Sequence, residues 1–199
     1  MYFRLIAVSL LIGWAPLQAS ADSVNLNEIS AYLNSLKSVS GSFTQINDDG
    51  TISTGEVFIK RPGRIRFEYD PPNEVLVIGG GGQVAIFDDK SNQPPEQYPL
   101  KRTPLNLILA RNVDLSRANM VVGFEYDGTA TTIIAQDPEN PDYGTIQLKF
   151  TGPTVELRQW IITSGDGTRT TVTLNGLEQN AQIAAISFSI QQEINRRNR

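Results

Sequence analysis

Residues 59–72 read IKRPGRIRFEYDPP, and the seven positions from Lys60 to Arg66 hold four basic residues in a chain that is acidic overall. Ile65, Phe67 and Tyr69 alternate with charged residues, which is the period of a strand with one apolar and one charged face. The Arg-Pro-Gly triplet between Lys60 and Arg64 predicts a corner between two strands, because proline and glycine favour turns. This stretch therefore indicates a β-rich fold.

Most of the remaining chain also alternates with period two and is interrupted by short turns rich in Gly, Asp and Pro. About eleven such strands in sequence order predict one large, antiparallel, strongly curved sheet. The glycines at 79–82 are interpreted as a flexible hairpin tip, because they lead into a strand and lack the lysine of a phosphate-binding loop. The predicted strands are Ser42–Asn47, Gly55–Lys60, Arg64–Tyr69, Val75–Ile78, Val84–Phe87, Met120–Tyr126, Thr131–Ala135, Thr145–Thr151, Val155–Thr163, Thr170–Asn175 and Ile183–Ile190.

Only two segments show helical periodicity. The first, Asn25–Val39, begins with Asn25 and Glu28 in capping-box spacing and carries one apolar stripe. The second, Pro104–Arg111, has Thr103 as its expected cap and is shorter than the ~12 residues at which isolated helices become stable. Its stability must come from what it covers, so we interpret it as a lid on the concave side of the sheet. The lid residues are Leu105, Leu107, Ile108 and Leu109.

The chain has 199 residues and contains neither Cys nor His. Ser-His-Asp and Cys-His catalysis and zinc sites are therefore excluded. The Asp pairs at 48–49 and 88–89 stand where turns are expected and lack the spacing of a calcium loop. We find no catalytic constellation and expect no enzymatic activity, no metal and no cofactor.

The N-terminus has the features of a secretory signal peptide. Residues 1–21 have a basic start, an apolar run too short for the ~20 residues of a membrane span, and small residues before Asp22. The predicted mature chain, 22–199, is one domain; because Arg4 is lost, its net charge becomes −5 instead of −4. An acidic chain repels a phosphate backbone, so nucleic acid is not an expected partner. The basic tail is interpreted as a solvated end; it contains Arg196, Arg197 and Arg199.

The basic face of the opening stretch has two parts. Arg64 and Arg66 alternate outward, as charged residues commonly do on antiparallel strands. Arg61 stands at the corner, where its five donors could bind the carbonyls that end a neighbouring helix. A contact of this kind contributes about 0.3–2 kcal/mol, depending on burial. It is weak enough for a ligand to break, so we interpret Arg61 as a latch.

The chain resembles the outer-membrane lipoprotein carrier protein family, LolA, over nearly all of its predicted mature length. The matching pieces are YLNSLKSVSGSFTQ, GEVFIKRPGRIRFEYDPP, a glycine turn followed by VAIFDD, and TPLNLILARN. The Lys-Arg-Pro piece combined with the Thr-Pro-Leu helix is fairly specific, whereas the C-terminal half matches mainly by strand pattern. Ile65 stands where the family often has an aromatic residue, and four glycines replace its usual Asp-Gly turn.

The resemblance implies a mainly β single domain, an unclosed antiparallel barrel with a helical lid over a hydrophobic cavity. It implies a monomeric periplasmic carrier that takes the acyl chains of lipoproteins from an inner-membrane ABC transporter and hands them to an outer-membrane acceptor, if one is present. It also implies that Arg61 bonds to carbonyls of the lid. The cavity residues expected from this fold are Phe43, Ile65, Phe67, Tyr69 and Trp160.

Two other functions remain open at this point. A lipid-sensing or scaffolding protein could use the same curved sheet without delivering a lipid. An enzyme acting on lipids is the third alternative, which the lack of His and Cys disfavours.

Overall fold

The computed structural model describes residues 23–91, 93–116, 119–152 and 154–198, so the predicted signal peptide and Arg199 lie outside the described residues. The helices are α1 (Leu26–Ser35), α2 (Leu105–Leu109) and α3 (Ile190–Arg197). The strands are β1 (Ser38–Ile46), β2 (Ile52–Lys60), β3 (Ile65–Tyr69), β4 (Val75–Gly80), β5 (Gln83–Asp88), β6 (Glu96–Pro99), β7 (Val121–Tyr126), β8 (Ala130–Gln136), β9 (Gly144–Thr151), β10 (Glu156–Ser164) and β11 (Arg169–Gln179).

All eleven described strands belong to one antiparallel sheet, in the order β6-β5-β4-β3-β2-β1-β11-β10-β9-β8-β7. The order ends at β6 and β7 without joining them, so the sheet is curved but not closed. The chain that connects these two edges carries α2. The predicted architecture, an unclosed antiparallel barrel with helices, is confirmed.

The opening stretch forms the β2–β3 hairpin. Ile59 pairs with Ile65 and Val57 with Phe67, so the apolar residues of both strands share one face. The corner between the strands contains Gly63 at φ +69°, a conformation that glycine adopts without a steric penalty. The corner therefore lies at one end of the sheet, next to the ends of α1 and α2.

The inner face of the sheet packs against α1 and α2 in one apolar cluster. The Asn25 side chain accepts hydrogen bonds from the amides of Asn27 and Glu28, and the Glu28 carboxylate accepts one from the Asn25 amide. This capping box fixes the start of α1, whose Ile29 and Leu33 are fully buried. The predicted helix was too long, because α1 ends at Ser35.

The outer face of β4 and β5 is covered by the C-terminal segment. In β4, Leu76 and Ile78 point outward, on the face opposite to Val77. They form a second apolar cluster with Ala85 and Phe87. Ile190 and Ile194 of α3 pack on this cluster. We call residues 180–198 the C-terminal strap, because they cross the outside of the sheet and end in α3.

Two predictions about the C-terminal segment were wrong. The segment predicted as strand Ile183–Ile190 instead contains a 3₁₀ turn (Ala185–Phe188) and the start of α3, and the eleventh strand is the unpredicted β6. Arg197 is not a solvated end, since its guanidinium donates to Glu193 and Asp89 and lies 4.8 Å from the Phe87 ring centroid.

The four glycines at 79–82 have more specific structural roles than the flexible hairpin tip that was predicted. Gly81 and Gly82 form the turn, with φ of +59° and +79°. Gly79 and Gly80 belong to β4, and a Cβ added at Gly80 would lie 2.1 Å from the carbonyl oxygen of Phe188. Gly80 therefore lets the strap approach the sheet closely.

Gly80→Ala is expected to lower the free energy of unfolding by about 1–3 kcal/mol, because the new methyl group must push the strap away. Urea unfolding measures the change. Gly152→Ala is the matched control, since its Cβ would lie 3.7 Å from the nearest atom, a methyl group of Val24. Equal losses in the two variants would show that Gly80 has no special packing role.

Candidate functional site

Aromatic side chains form the centre of the inner face. Phe43 stands edge-on to both Phe67 and Tyr69, with ring centroids 5.3 and 5.1 Å apart, and Phe67 is edge-on to Trp160 at 6.2 Å. Phe43 and Trp160 are 1% exposed. Together with the fully buried Ile65, they join strands β1, β3 and β10 into one continuous apolar surface. The five residues predicted for the cavity thus lie in one place.

Tyr69 brings a single polar group to this surface. Its hydroxyl donates a hydrogen bond of 2.7 Å to the Gln45 amide oxygen. Burial raises the pKa of Tyr69 to about 12, because the phenolate would lose its hydration, and the hydrogen bond to Gln45 opposes this only in part. The phenol is therefore neutral at physiological pH, and the inner surface carries no charge at this position.

The lid helix α2 covers this surface with its buried side. Ile108 and Leu109 are 5% and 1% exposed, and Leu105 and Leu107 are partly buried against the same cluster as Phe67 and Trp160. In this closed arrangement lid side chains occupy the concave side that was predicted as a hollow.

Arg61 connects the ends of both inner helices. Its Nη1 donates to the carbonyl oxygen of Leu33, in the last turn of α1, and its Nη2 donates to the carbonyl oxygen of Ala110, directly after α2. Nη2 also lies 3.2 Å from Oδ1 of Asn34. Carbonyls at helix C-termini lack intrahelical partners, so one guanidinium satisfies two such groups at once.

Two further contacts hold the same end of the lid. The side-chain nitrogen of Asn34 donates to the Val113 carbonyl at 2.8 Å, and its Oδ1 accepts from the backbone amide of Val113 at 3.0 Å. The Gly63 amide donates to the Leu109 carbonyl at 2.9 Å. These bonds tie the β2–β3 corner and α1 to the segment that contains α2.

The corner holds the lid without a countercharge. Among the described residues no carboxylate forms an ion pair with Arg61, and its Nε is buried without a hydrogen-bond partner. Desolvation lowers the pKa of Arg61, although a guanidinium remains charged at any physiological pH. A partly buried cation bonded to neutral oxygens is less stabilised than one in an ion pair.

The basic outer face of the β2–β3 hairpin contacts the C-terminal strap. Lys60 Nζ donates to the Ile183 carbonyl at 2.6 Å, and Arg66 donates to the Ser187 carbonyl at 3.0 Å. Arg66 also pairs with Glu68. Lys60 and Arg66 therefore bind backbone carbonyls of the strap, while Arg61 binds those of the inner helices.

The sequence reasoning missed Asn34 and the strap contacts. Thr103, the predicted cap, instead donates its hydroxyl to the Leu100 carbonyl, and Pro104 precedes the first residue of α2. An asparagine near the end of a helix could have indicated such a contact, because its side chain can bond to the backbone of a neighbouring segment as well as to its own helix.

No group of metal-ligating side chains is found in the part of the chain that the structure describes. Within the same residues, the helices are too short and too polar to cross a bilayer.

The chain is similar to a known protein family along most of its length. The sequence profile of the family "Outer membrane lipoprotein carrier protein LolA" matches residues 34–191. An outer-membrane lipoprotein carrier protein of Pseudomonas aeruginosa is 26% identical over 196 residues, covering 94% of this chain and 92% of that protein. The protein of the same description from Chromohalobacter salexigens is 26% identical over 186 residues, covering 88% of this chain and 87% of that protein. The crystal structure of a LolA superfamily protein from Nitrosomonas europaea superposes with a TM-score of 0.46 and 11% identity, covering 85% of this chain and all of that one.

Because the pKa of Tyr69 is raised, the free energy of unfolding is expected to fall as the pH becomes alkaline. The stabilisation is fully present below the unfolded pKa of about 10 and is lost as pH rises through about 12. Tyr69→Phe is expected to reduce this loss by about 2 kcal/mol. Urea unfolding at pH 8 and at pH 12 measures it in both proteins; an identical alkaline loss would contradict the burial of a neutral phenol.

Proposed function

Because the chain belongs to the outer-membrane lipoprotein carrier protein (LolA) family, we propose that it is a periplasmic carrier of lipoproteins. It receives their acyl chains from an inner-membrane ABC transporter, shields them as a monomer, and delivers them to the outer membrane. It performs no catalysis. The observation that carries the proposal is the apolar lid helix, which lies on the aromatic inner surface and is held at its end by Arg61.

The energetics of acyl chains explain why such a surface needs a lid. Each methylene removed from water contributes about 0.8 kcal/mol, so two or three chains bound in a preformed cavity would exceed the practical affinity limit of about −18 to −21 kcal/mol. A carrier with that affinity could not release its cargo. Part of the binding energy must therefore be spent on another step.

Displacement of the lid supplies that step. Ile108 and Leu109 are buried when the site is closed, so an acyl chain that replaces them gains only the difference between two apolar contacts. Opening also breaks the bonds of Arg61 to the carbonyls of Leu33 and Ala110. Loading then lies near balance, and an acceptor with a more favourable site can withdraw the cargo without ATP.

Transfer between two membranes tests the proposal. The chain from residue 22 onward is loaded with a fluorescent diacylated lipopeptide at donor vesicles and passed through a membrane-free compartment to acceptor vesicles. The expected result is delivery that depends on protein concentration. A protein that binds the lipopeptide but delivers none is a sensor or scaffold, and this result would reject the carrier function.

Ile108→Asp provides the matched loss of function. A charge on the buried side of the lid opposes its packing on the aromatic surface and introduces an anion beside the acyl chains, so lipopeptide retention is expected to fall more than tenfold. Circular dichroism checks the fold. Ile108→Leu keeps an apolar side chain of the same volume at this position and is the control that is expected to retain the lipopeptide. Retention by Ile108→Asp with an intact fold would place the lipid elsewhere.

Arg61→Leu is expected to slow unloading while the fold remains intact. The closed, empty state loses its bonds to the carbonyls of Leu33 and Ala110, whereas the loaded, open state loses little, so release becomes about 2–30-fold slower for a loss of about 0.3–2 kcal/mol. The single-turnover rate of handover measures this. Arg64→Leu, whose Nε donates only to the neighbouring Lys60 carbonyl, is the control. Handover of Arg61→Leu at the wild-type rate would remove Arg61 from the mechanism.

A further inference from the structure

A cavity lies beside the lid, at the rim of the sheet. Its volume is about 600 Å³, within the ~300–1,000 Å³ typical of ligand pockets. Pro62 and Gly63 of the β2–β3 corner form one wall, Gly82 of the β4–β5 turn forms another, and the end of α2 closes it. It is therefore built from the same corner that holds the lid.

The charge of this cavity is opposite to that of the protein. Lys101 and Arg111 line it, and no Asp or Glu does, although the chain as a whole carries a net charge of −4. Neither cation has a side-chain hydrogen bond or ion pair with another described residue. Two unpaired cations in a concave site attract an anion more strongly than scattered surface charges do.

The cavity also touches the apolar interior. Leu100 and Leu109 line it and at the same time belong to the inner cluster that contains the aromatic surface. Leu109 is the last residue of α2, and its carbonyl accepts the Gly63 amide. When α2 is displaced, the wall formed by Leu109 is removed, and the cavity and the inner surface become one space. A molecule with acyl chains inside could then place its polar end in this cavity.

We propose that this cavity binds an anionic group that lies close to the acyl chains in the same ligand molecule. The inference rests on the proposed carrier function, since it concerns the polar end of the same ligand. The anion has two possible sources: acidic side chains next to the lipid-bearing residue of a lipoprotein, or the phosphate of an anionic phospholipid. Lys101 and Arg111 recognise the shared chemistry, a carboxylate or phosphate held at the rim by the buried chains.

The test compares three synthetic diacylated lipopeptides that differ only in the two residues after the lipidated position, which are Glu-Glu, Gln-Gln or Lys-Lys. Binding to the protein purified from the periplasm is measured at low salt. The Glu-Glu lipopeptide is expected to bind about 3–10-fold more tightly than Gln-Gln, because two exposed charge pairs stabilise binding only modestly, and the preference is expected to shrink at 0.5 M salt. The Lys-Lys lipopeptide is expected to bind least tightly.

Two double variants with the same charge change identify the site. K101Q/R111Q removes both cations from the cavity, and the Glu-Glu preference is expected to disappear. K90Q/R102Q removes two exposed cations that do not line the cavity, and the preference is expected to remain. Loss of preference in both variants would mean that only the overall charge matters, and persistence in both would place the anion elsewhere; each result overturns the inference.

The remaining outcomes separate this inference from the carrier function. Equal binding of all three lipopeptides overturns the anion site but leaves the carrier function intact. Binding of none of them rejects the carrier function and the inference with it. Phosphatidylglycerol and phosphatidylcholine, compared as competitors of the Glu-Glu lipopeptide, distinguish the two sources. Stronger competition by phosphatidylglycerol that needs Lys101 and Arg111 assigns the site to the phosphate headgroup as well. Its absence assigns the site to acidic lipopeptides.

Discussion

The closed position of the lid depends on the β2–β3 corner, where a single guanidinium bonds to backbone carbonyls at the ends of α1 and α2. Arg61 reaches the carbonyls of Leu33 and Ala110 from a position fixed by the strand pairing of β2 and β3. Its partners are neutral, so the contact stabilises the closed lid without the strength of a buried ion pair. The bond between Gly63 and Leu109 supports it. The lid is thus attached at one end to the β2–β3 corner.

The same hairpin organises the two faces of the sheet. Inward, Ile65 and Phe67 extend the aromatic surface under the lid; outward, Lys60 and Arg66 bind carbonyls of the C-terminal strap. The strap closes the outer apolar cluster of β4 and β5 with α3. The outer apolar cluster is covered by the eight-residue helix α3, whereas the inner face is covered by α1 and by the five-residue helix α2. This difference in helix length is the reason that the inner face is the one proposed to open.

Strand alternation was sufficient to predict most of the sheet, because one face of each strand is buried and the other exposed. It failed for residues 183–190, because this apolar segment crosses the strands of the sheet instead of pairing with them. Ser189, which accepts a hydrogen bond from the Gln192 amide, and the Ile190–Ile194 spacing were signals for α3 that the strand interpretation concealed. The strand β6 is four residues long and follows two prolines, so its sequence carries little pattern. The residues of the inner surface could be predicted from alternation and family resemblance, whereas Asn34 and the rim cavity depend on long-range contacts that no local pattern contains.

The central claim is that acyl chains displace the lid and lie on the aromatic surface. Trp160 is the only tryptophan beyond residue 21 and is 1% exposed within that surface, so its fluorescence reports on the site without engineering. The direct measurement is quenching of Trp160 by a diacylated lipopeptide with brominated acyl chains, compared with the unbrominated lipopeptide. Strong, saturable quenching at the lipopeptide concentrations that load the protein is the expected result. Loading without quenching of Trp160 would show that the lipid binds elsewhere and that the lid stays closed.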